Sequence, residues 1–219
     1  MWKLLKQCPV FFALLAILLV IGISSCLLTS KLISFIFINF YHDKWLDLFF
    51  SYYTFMGDGV MCIVVIITLF LIKKKKTALI LLVSYLSSGI FVQLLKRFIN
   101  NPRPSLYFDQ IGFKYPYFVK GIHQMHSGSF PSGHTTSAFA MAIVLTLCFR
   151  QKWISLLFML LAIFAGYSRI YLAQHFLEDV VVGALIGSVF GLISYYYIWQ
   201  SRDIRFFGIY EAEIIPEKS

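Results

Sequence analysis

Six apolar runs alternate with polar segments along the first 200 residues of this chain. An α-helix needs roughly 20 apolar residues to cross the hydrocarbon core of a bilayer. Four of the runs come close to that length, whereas the second and the fifth are shorter. The runs are Val10–Leu28, Val60–Ile72, Thr77–Leu95, Gly133–Phe149, Trp153–Tyr167 and Val180–Trp199. We expect the second span to begin before its run, near Tyr53. The pattern predicts an all-α polytopic integral membrane protein, a helical bundle with six transmembrane helices in a single domain over residues 1–200.

Composition agrees with this prediction, because 59% of the residues are apolar, 13% are charged and the mean hydropathy is +0.79. An average soluble domain is about half apolar and about a quarter charged. The four cysteines lie in or beside the apolar runs without paired spacing, so they predict neither a disulfide framework nor a metal knuckle. We interpret Cys8, Cys26, Cys62 and Cys148 as small packing residues.

The basic residues behind the net charge of +9 follow the predicted membrane topology and do not form a segment that would suit nucleic-acid binding. Lysine and arginine occupy every second loop and both ends, at Lys3, Lys6, Lys73–Lys76, Arg150, Lys152, Arg202 and Arg205. By the positive-inside rule, these segments and both termini are cytoplasmic, including a polar tail over residues 201–219. The other loops, about 29–52, 96–131 and 168–179, are then predicted to face outward.

A first cluster of chemically distinctive residues follows the third run. Lys96 ends that run, and two prolines then stop any helix around Arg103 and Pro104. An ammonium on the last helical turn and a guanidinium in a stiff turn can converge on one anion. Taken alone, Lys96 fits equally well as a marker of the membrane interface, and we interpret the adjacent Arg97 as such a marker.

A second cluster, Pro131-Ser132-Gly133-His134, opens the fourth run. Free backbone N–H groups and the positive end of the helix dipole favour an anion there, and Gly133 lets an oxyanion approach closely. Ser132 can cap the helix and donate to a phosphoryl oxygen, and His134 can protonate a leaving oxygen. An ordinary helix cap with an interfacial histidine would look the same if this cluster stood alone.

The third cluster consists of Ser168-Arg169, His175 and Asp179, near the end of the fifth run and the start of the sixth. A guanidinium at that depth is costly unless it binds something. His175 and Asp179 are four residues apart and share a helix face if the last helix has begun. The carboxylate can then orient one ring nitrogen and leave the other free for attack, although a purely structural pair remains open.

All three clusters fall in or beside the loops predicted to face outward, which suits chemistry on a phosphate ester at a membrane surface. With their spacings, Lys96 to Arg103-Pro104, Pro131 to His134, and Ser168-Arg169 to His175 and Asp179 resemble the three-part signature of the type 2 phosphatidic acid phosphatase (PAP2) superfamily. That superfamily includes bacterial lipid phosphatases, undecaprenyl pyrophosphatases and vanadium haloperoxidases. The resemblance covers residues 96–179 by motif and the six-span layout by architecture.

The resemblance implies a role for each signature residue. His175 would attack phosphorus and form a phosphohistidine, Asp179 would orient His175, and His134 would protonate the leaving oxygen. The phosphoryl oxygens would be held by Lys96, Arg103, Arg169, Ser132 and the Gly133 backbone. Three cations and a helix terminus would supply the positive field, so we expect no metal and no cofactor.

The function predicted on this basis is a metal-independent lipid phosphatase acting on a polyprenyl diphosphate, lipid A or a phosphatidyl phosphate. A phosphotransferase using the same site is the first alternative. A lipid-phosphate transporter is the second, but binding an anion would not need the His175 and Asp179 pair. A haloperoxidase fits least well. We expect a bacterial cytoplasmic membrane protein whose site faces the periplasm or exterior, with membrane lipids as its partners and no nucleic acid.

Four features stay open at the level of sequence. The aromatic and basic loop between Lys96 and Pro131 suits either a lid or a segment that rests on the bilayer. Within it, His123 and His126 have a spacing that zinc uses, but two ligands are weak evidence. Asp58 is either a polar helix start or a contact of the basic site. The segment Thr29–Tyr52 suits a helix lying in the interface.

Overall fold

The computed structural model describes residues 6–200, and within them every regular element is helical. The helices are α1 (Pro9–Leu28), α2 (Lys31–Ile38), α3 (Lys44–Tyr53), α4 (Gly59–Leu71), α5 (Lys75–Ile99), α6 (Pro104–Gln110), α7 (Gly133–Phe149), α8 (Lys152–Tyr171) and α9 (Leu177–Gln200). A 3₁₀ turn, Thr54–Gly57, joins α3 to α4. The predicted tail, 201–219, lies outside the described residues.

The six apolar runs correspond to α1, α4, α5, α7, α8 and α9. Four helices are long and apolar enough to cross a membrane: α1, the helix that begins at Lys75, α8 and α9. α3 and α4 qualify only together, as a pair bent by 56°, and α7 is a shorter apolar helix of 17 residues. The chain is therefore an integral membrane protein with four or five candidate spans in its described part. The count of six stays a prediction.

The second run is too short to span a membrane by itself. α4 has 13 residues and, at 1.5 Å per residue, reaches about 20 Å, which is less than the hydrocarbon thickness of about 30 Å. The chain reaches further only by adding α3 across the bend at Gly57-Asp58. Thus part of the segment expected to lie in the interface, Thr29–Tyr52, belongs to a bent helix pair that is a candidate for one broken span or a re-entrant loop.

Helices α7 and α9 pack with their backbones in contact. Three glycines four residues apart on α9 face α7, and a side chain on any of them would meet α7 directly. A Cβ on Gly183 would lie 2.7 Å from the carbonyl oxygen of Ser132, and one on Gly187 would collide with the carbonyl oxygen of Thr136. Small residues at such intervals let membrane helices approach closely. This contact sets the level of α9 against the start of α7.

Apolar side chains pack between the helices and also cover much of the outside. Phe139, Ile143 and Leu147 of α7 are buried beside Tyr195 of α9. By contrast, α1 has only 17% of its apolar window buried and presents large aliphatic side chains outward. An exposed apolar surface of this extent is expected where lipid is the solvent.

We predict that Gly187→Ala destabilises the protein by about 1–3 kcal/mol, because the added Cβ collides with backbone that cannot rotate away. Gly89→Ala is the matched control, since a Cβ on that helical glycine meets nothing within 4 Å. The thermal unfolding midpoint of each purified variant in detergent measures the effect. Equal midpoints for the two variants would contradict the proposed backbone contact.

Candidate active site

His175 and Asp179 form a buried pair at the centre of the site. His175 lies in the turn between α8 and α9, and Asp179 lies on the first turn of α9. The Nδ1 of His175 is 3.3 Å from the Oδ2 of Asp179, and the two residues are 1% and 0% exposed. The expected orientation of the imidazole by the carboxylate is therefore geometrically possible. It leaves Nε2 as the ring nitrogen that Asp179 does not engage.

Two further groups hold the Asp179 carboxylate. The Ser129 hydroxyl donates to Oδ2 at 2.5 Å, and the backbone N–H of Phe176 donates to the same oxygen at 2.9 Å. Ser129 also lies 3.5 Å from the Nδ1 of His175. The sequence analysis missed Ser129, because only the path of its loop brings this serine beside α9.

The three predicted cations converge on the same histidine. Burial lowers the pKa of His175 well below its usual range, and the positive charges of Arg103, Arg169 and Lys96 lower this pKa further. The imidazole of His175 is consequently neutral near pH 7, which is the state a nitrogen nucleophile requires.

Each cation is held by a neutral acceptor rather than by a carboxylate. Lys96 Nζ donates to the carbonyl of Gly128 at 2.7 Å, and Arg169 donates to the hydroxyl of Thr54 at 2.6 Å. The Nε of Arg169 is buried without a partner. Since lysine carries three donors and arginine five, several N–H groups remain for an anion.

Arg103 is 5% exposed and is fixed by the loop that follows α6 and by Gln174. Its Nε donates to the carbonyl of Ser127 at 3.1 Å, and one terminal nitrogen donates to both the carbonyl and the side-chain oxygen of Gln174 at 3.2 Å. Burial lowers the pKa of Arg103, but its ordinary value is high enough for the guanidinium to stay charged near neutral pH. Gln174 is a second residue that the sequence analysis missed.

The second cluster, Pro131 to His134, lies at the start of α7 beside the His175 and Asp179 pair. Ser132 caps this helix by accepting from the N–H of Thr135 at 3.4 Å, as predicted. The Ser132 N–H donates to the carbonyl of Asp179 at 3.0 Å, which ties α7 to α9 beside the catalytic candidates. Donation from the Ser132 hydroxyl and the Gly133 N–H to a phosphoryl oxygen stays a prediction.

His134 faces Asp58, and this contact decides between the two interpretations of that acid. The Nε2 of His134 is 3.5 Å from Oδ2 of Asp58, and both side chains are about one-third exposed. Asp58 also caps α4 by accepting from the N–H of Val60 at 2.9 Å. Asp58 is thus both a helix start and a contact of the site. The bend between α3 and α4 places it there.

The loop between the first two clusters is folded onto the site instead of lying apart from it. Tyr115 and Phe108 are buried with Phe35 of α2 and with Phe176, which follows His175. The backbone carbonyls of His123 and His126 accept from Gln174 and from the Arg103 N–H. Over residues 6–200, no three His, Cys, Asp or Glu side chains are grouped to hold a metal, so the zinc interpretation gains no third ligand.

Comparisons with known proteins show which family the chain belongs to. A family model described as "PAP2 superfamily" matches residues 77–203. The chain is 40% identical over 67 residues to a lipid A 4'-phosphatase of Bacteroides thetaiotaomicron, covering 31% of this chain and 30% of that protein. It is 31% identical over 106 residues to the putative undecaprenyl-diphosphatase YbjG of Escherichia coli, covering 48% of this chain and 50% of that protein. The chain thus aligns with half or less of each of these two relatives.

A solved structure gives the same result over a longer stretch. The crystal structure of Aquifex aeolicus LpxE superposes with a TM-score of 0.63 at 34% identity, covering 74% of this chain and 93% of that one. The chain belongs to the PAP2 superfamily. The resemblance drawn from the three clusters is confirmed.

The neutral state of His175 predicts a specific response to acid. Its lowered pKa in the folded protein means that the unfolded state, with a histidine pKa near 6.5, takes up a proton first as the pH falls. Stability is therefore lost below about pH 6.5, by up to about 1.4 kcal/mol per pH unit. His175→Asn should flatten this slope in thermal unfolding from pH 7.5 to pH 5, whereas the exposed control His126→Asn should not. Identical slopes for all three proteins would contradict the prediction.

Ser129→Ala should lower kcat more than it changes KM, because the hydroxyl acts on Asp179 and through it on His175. A hydrogen bond to a charged group is worth about 1.5–3 kcal/mol, so we expect a loss of about tenfold or more. Steady-state phosphate release measures it, with the exposed serine variant Ser127→Ala as control. A variant with kcat unchanged would show that Ser129 has only a packing role.

Proposed function

We propose that this protein is a metal-independent lipid phosphatase that works through a phosphohistidine. The observation that carries the proposal is the buried His175 and Asp179 pair, whose Nδ1 and Oδ2 atoms are 3.3 Å apart. Three cations surround this pair, and their hydrogen-bond partners in the protein are neutral. A binding protein or transporter would need the cations but not an oriented, neutral imidazole beside them. The catalytic pair therefore favours an enzyme.

In the first step the Nε2 of His175 attacks phosphorus as the bond to the lipid oxygen breaks. His134 gives its proton to that oxygen, and the lipid leaves as an alcohol or, from a diphosphate, as a lipid monophosphate. Asp179 stabilises the positive charge that develops on His175. Lys96, Arg103 and Arg169 offset the charge on the phosphoryl oxygens in the transition state.

In the second step water attacks the phosphohistidine, and the nitrogen–phosphorus bond breaks to release inorganic phosphate. His134, neutral after the first step, accepts the proton of this water. The Asp58 carboxylate, 3.5 Å from the His134 ring, stabilises the imidazolium that this transfer creates. Both histidines are then restored to their starting protonation states.

The direction of each helix supports the proposed topology. α5 runs from Lys75 towards the site at Lys96, α7 runs from the site to its end before Arg150, and α8 returns from Lys152 to Arg169. The short basic loops therefore lie at the end of the bundle opposite to the site. With basic loops in the cytoplasm, the site faces the periplasm or the exterior of a bacterial cytoplasmic membrane. Six spans complete this topology, with the bent α3 and α4 pair as the second and α7 as the fourth.

The relatives named above act, by their names, on lipid A and on undecaprenyl diphosphate. Both substrates carry a phosphate on a membrane lipid, and we propose a substrate of that class for this chain. A site among spanning helices suits a lipid that reaches it sideways through the bilayer.

The test is phosphate release by purified protein in excess chelator, from lipid A, undecaprenyl diphosphate and phosphatidic acid. We expect release that chelation does not stop and that His175→Asn abolishes. His134→Ala should cost about 10²–10⁴-fold on a monoester and less on a diphosphate, whose leaving group needs a proton less. His126→Asn is the control. Retained turnover in His175→Asn would overturn the covalent mechanism, and phosphate transferred to an acceptor other than water would indicate a transferase.

A further inference from the structure

A cavity of about 570 Å³ lies between helices α1, α2, α8 and α9, and its lining is almost entirely apolar. Its lining includes the buried side chains of Phe139 and Ile170 and the exposed side chains of Ile21, Ile33 and Phe37. The cavity therefore reaches into the bundle and is open to the hydrocarbon of the bilayer. Because apolar cavities do not hold ordered water, a hydrocarbon chain is the occupant that fits.

The cavity has the depth of one leaflet. On α1 its lining extends from Leu18 to Thr29, which is about 16 Å at 1.5 Å per residue. One leaflet supplies about 15 Å of a hydrocarbon core of about 30 Å. The lining also includes Leu177, the first residue of α9, which lies two residues before Asp179. The cavity thus suits one hydrocarbon chain from the leaflet on the side of the candidate active site.

An ion pair lies at the end of the cavity that is near Thr29 and Leu177. The Nζ of Lys31 is 2.6 Å from the Oε1 of Glu178, and both side chains are partly exposed. Lys31 follows Thr29 by two residues, and Glu178 directly follows Leu177. A paired lysine keeps further N–H donors, and a paired carboxylate keeps further lone pairs. One positive and one negative group at this place complement a headgroup that carries both a phosphate and an ammonium.

The turn between α8 and α9 separates the cavity from the candidate active site. Ile170 and Leu177 line the cavity, whereas Arg169 and Asp179 beside them are buried near His175. None of the candidate catalytic or phosphate-binding residues, all of which the structure describes, lines the cavity. A lipid whose chain lay in the cavity would have to pass its phosphate through this turn to reach His175. The occupant is therefore a lipid of the bilayer and not the substrate.

Packing holds this turn in place. Ala173 has a φ of +52°, a left-handed conformation that a residue with a side chain keeps only where its surroundings fix it. Ala173 and Phe176 are buried in one apolar cluster with Ile170, and Leu177 packs against that cluster. Since Ile170 and Leu177 also line the cavity, a chain bound there contacts the residues that fix the turn.

Lys31 connects the ion pair to the candidate catalytic residues. Its Nζ lies 4.5 Å from the centre of the Phe176 ring, a cation–π contact. The backbone N–H of Phe176 in turn donates to the Asp179 carboxylate at 2.9 Å. A headgroup that binds Lys31 is thus two contacts away from the carboxylate beside His175.

We propose that the cavity binds an acyl chain of a zwitterionic phospholipid of the bilayer, with its headgroup at Lys31 and Glu178. This lipid raises turnover by holding the turn that carries His175, and it is neither substrate nor product. The binding site is independent of the proposed function, whereas the effect on turnover rests on it.

The first test needs neither a variant nor activity. The purified protein is reconstituted with a phosphatidylcholine that carries a photoreactive group on one acyl chain, and the labelled residues are mapped by mass spectrometry. We expect labelling of the buried lining residues Phe139 and Ile170, which lipid on the outer surface does not reach. Labelling confined to exposed side chains outside the cavity such as Leu27, or no labelling, would overturn the site.

A matched pair of variants tests the volume of the cavity. Ser25→Phe fills it, because Ser25 lines it, whereas Ser24→Phe adds the same bulk at the exposed neighbouring position. We expect labelling of Phe139 to fall at least about fivefold in Ser25→Phe, since the phenyl ring displaces buried methylenes of the lipid. Ser24→Phe should keep the wild-type labelling. Equal labelling in the two variants would overturn the site.

Glu178→Gln tests the headgroup. The variant removes the negative half of the ion pair and leaves the Lys31 ammonium, which attracts an anionic headgroup. We expect the wild type to prefer phosphatidylcholine to phosphatidylglycerol with the same chains, and Glu178→Gln to reverse this preference. The readout is competition between the two lipids for labelling of Phe139. An unchanged preference would overturn the headgroup assignment.

The effect on turnover is measured with a short, water-soluble phosphate ester, so that the substrate brings no lipid chain of its own. Added phosphatidylcholine should raise kcat at least about fivefold and saturably in the wild type and in Ser24→Phe, but not in Ser25→Phe. An equal rise in all three proteins, or no rise in any, would overturn the effect on turnover. If the wild type releases no phosphate at all, this effect fails with the proposed function, while the labelling still decides the cavity.

Discussion

The backbone contact between α7 and α9 is the constraint on which the rest of the site depends. With Gly183 and Gly187 against the first turns of α7, the start of α9 is held at the level of Ser132. The hydrogen bond from the Ser132 N–H to the carbonyl of Asp179 is possible only at that distance. The helix terminus that would bind a phosphate and the histidine that would attack it are thereby fixed against each other by backbone, which is stiffer than any pair of side chains.

Near this contact between α7 and α9, three largely buried cations keep N–H donors that an anion can bind. Lys96, Arg103 and Arg169 each donate to carbonyl, amide or hydroxyl oxygens. The two carboxylates nearby, Asp58 and Asp179, lie against histidines instead. Removing a cation from water is costly unless a counter-charge arrives, so this arrangement favours the binding of an anion. The same arrangement would supply the preorganised field that the proposed phosphoryl transfer requires.

The loop from Asn100 to Pro131 connects the contact between α7 and α9 to the three cations. Its backbone carbonyls at Ser127 and Gly128 accept hydrogen bonds from Arg103 and Lys96. Its Ser129 hydroxyl donates a hydrogen bond to Asp179. Because its aromatic residues pack against α2 and Phe176, the loop is part of the folded core around the site. One face of the site is therefore built by a segment that is irregular apart from the short helix α6, and its position comes from packing and not from local propensity.

The positions of the long helices could be read from the sequence, because a lipid solvent demands continuous apolar runs whose backbone hydrogen bonds are satisfied internally. The His175 and Asp179 pair was also predicted, but on the condition that both residues share a helix face. Helix α9 begins only at Leu177, so the turn before this helix brings His175 to Asp179. Tertiary structure alone decided that α3 and α4 form a bent pair, that Asp58 meets His134, and that Ser129, Gln174 and Thr54 hold the charged residues. Those contacts join residues that are tens of positions apart, and only the packing of the helices brings them within reach.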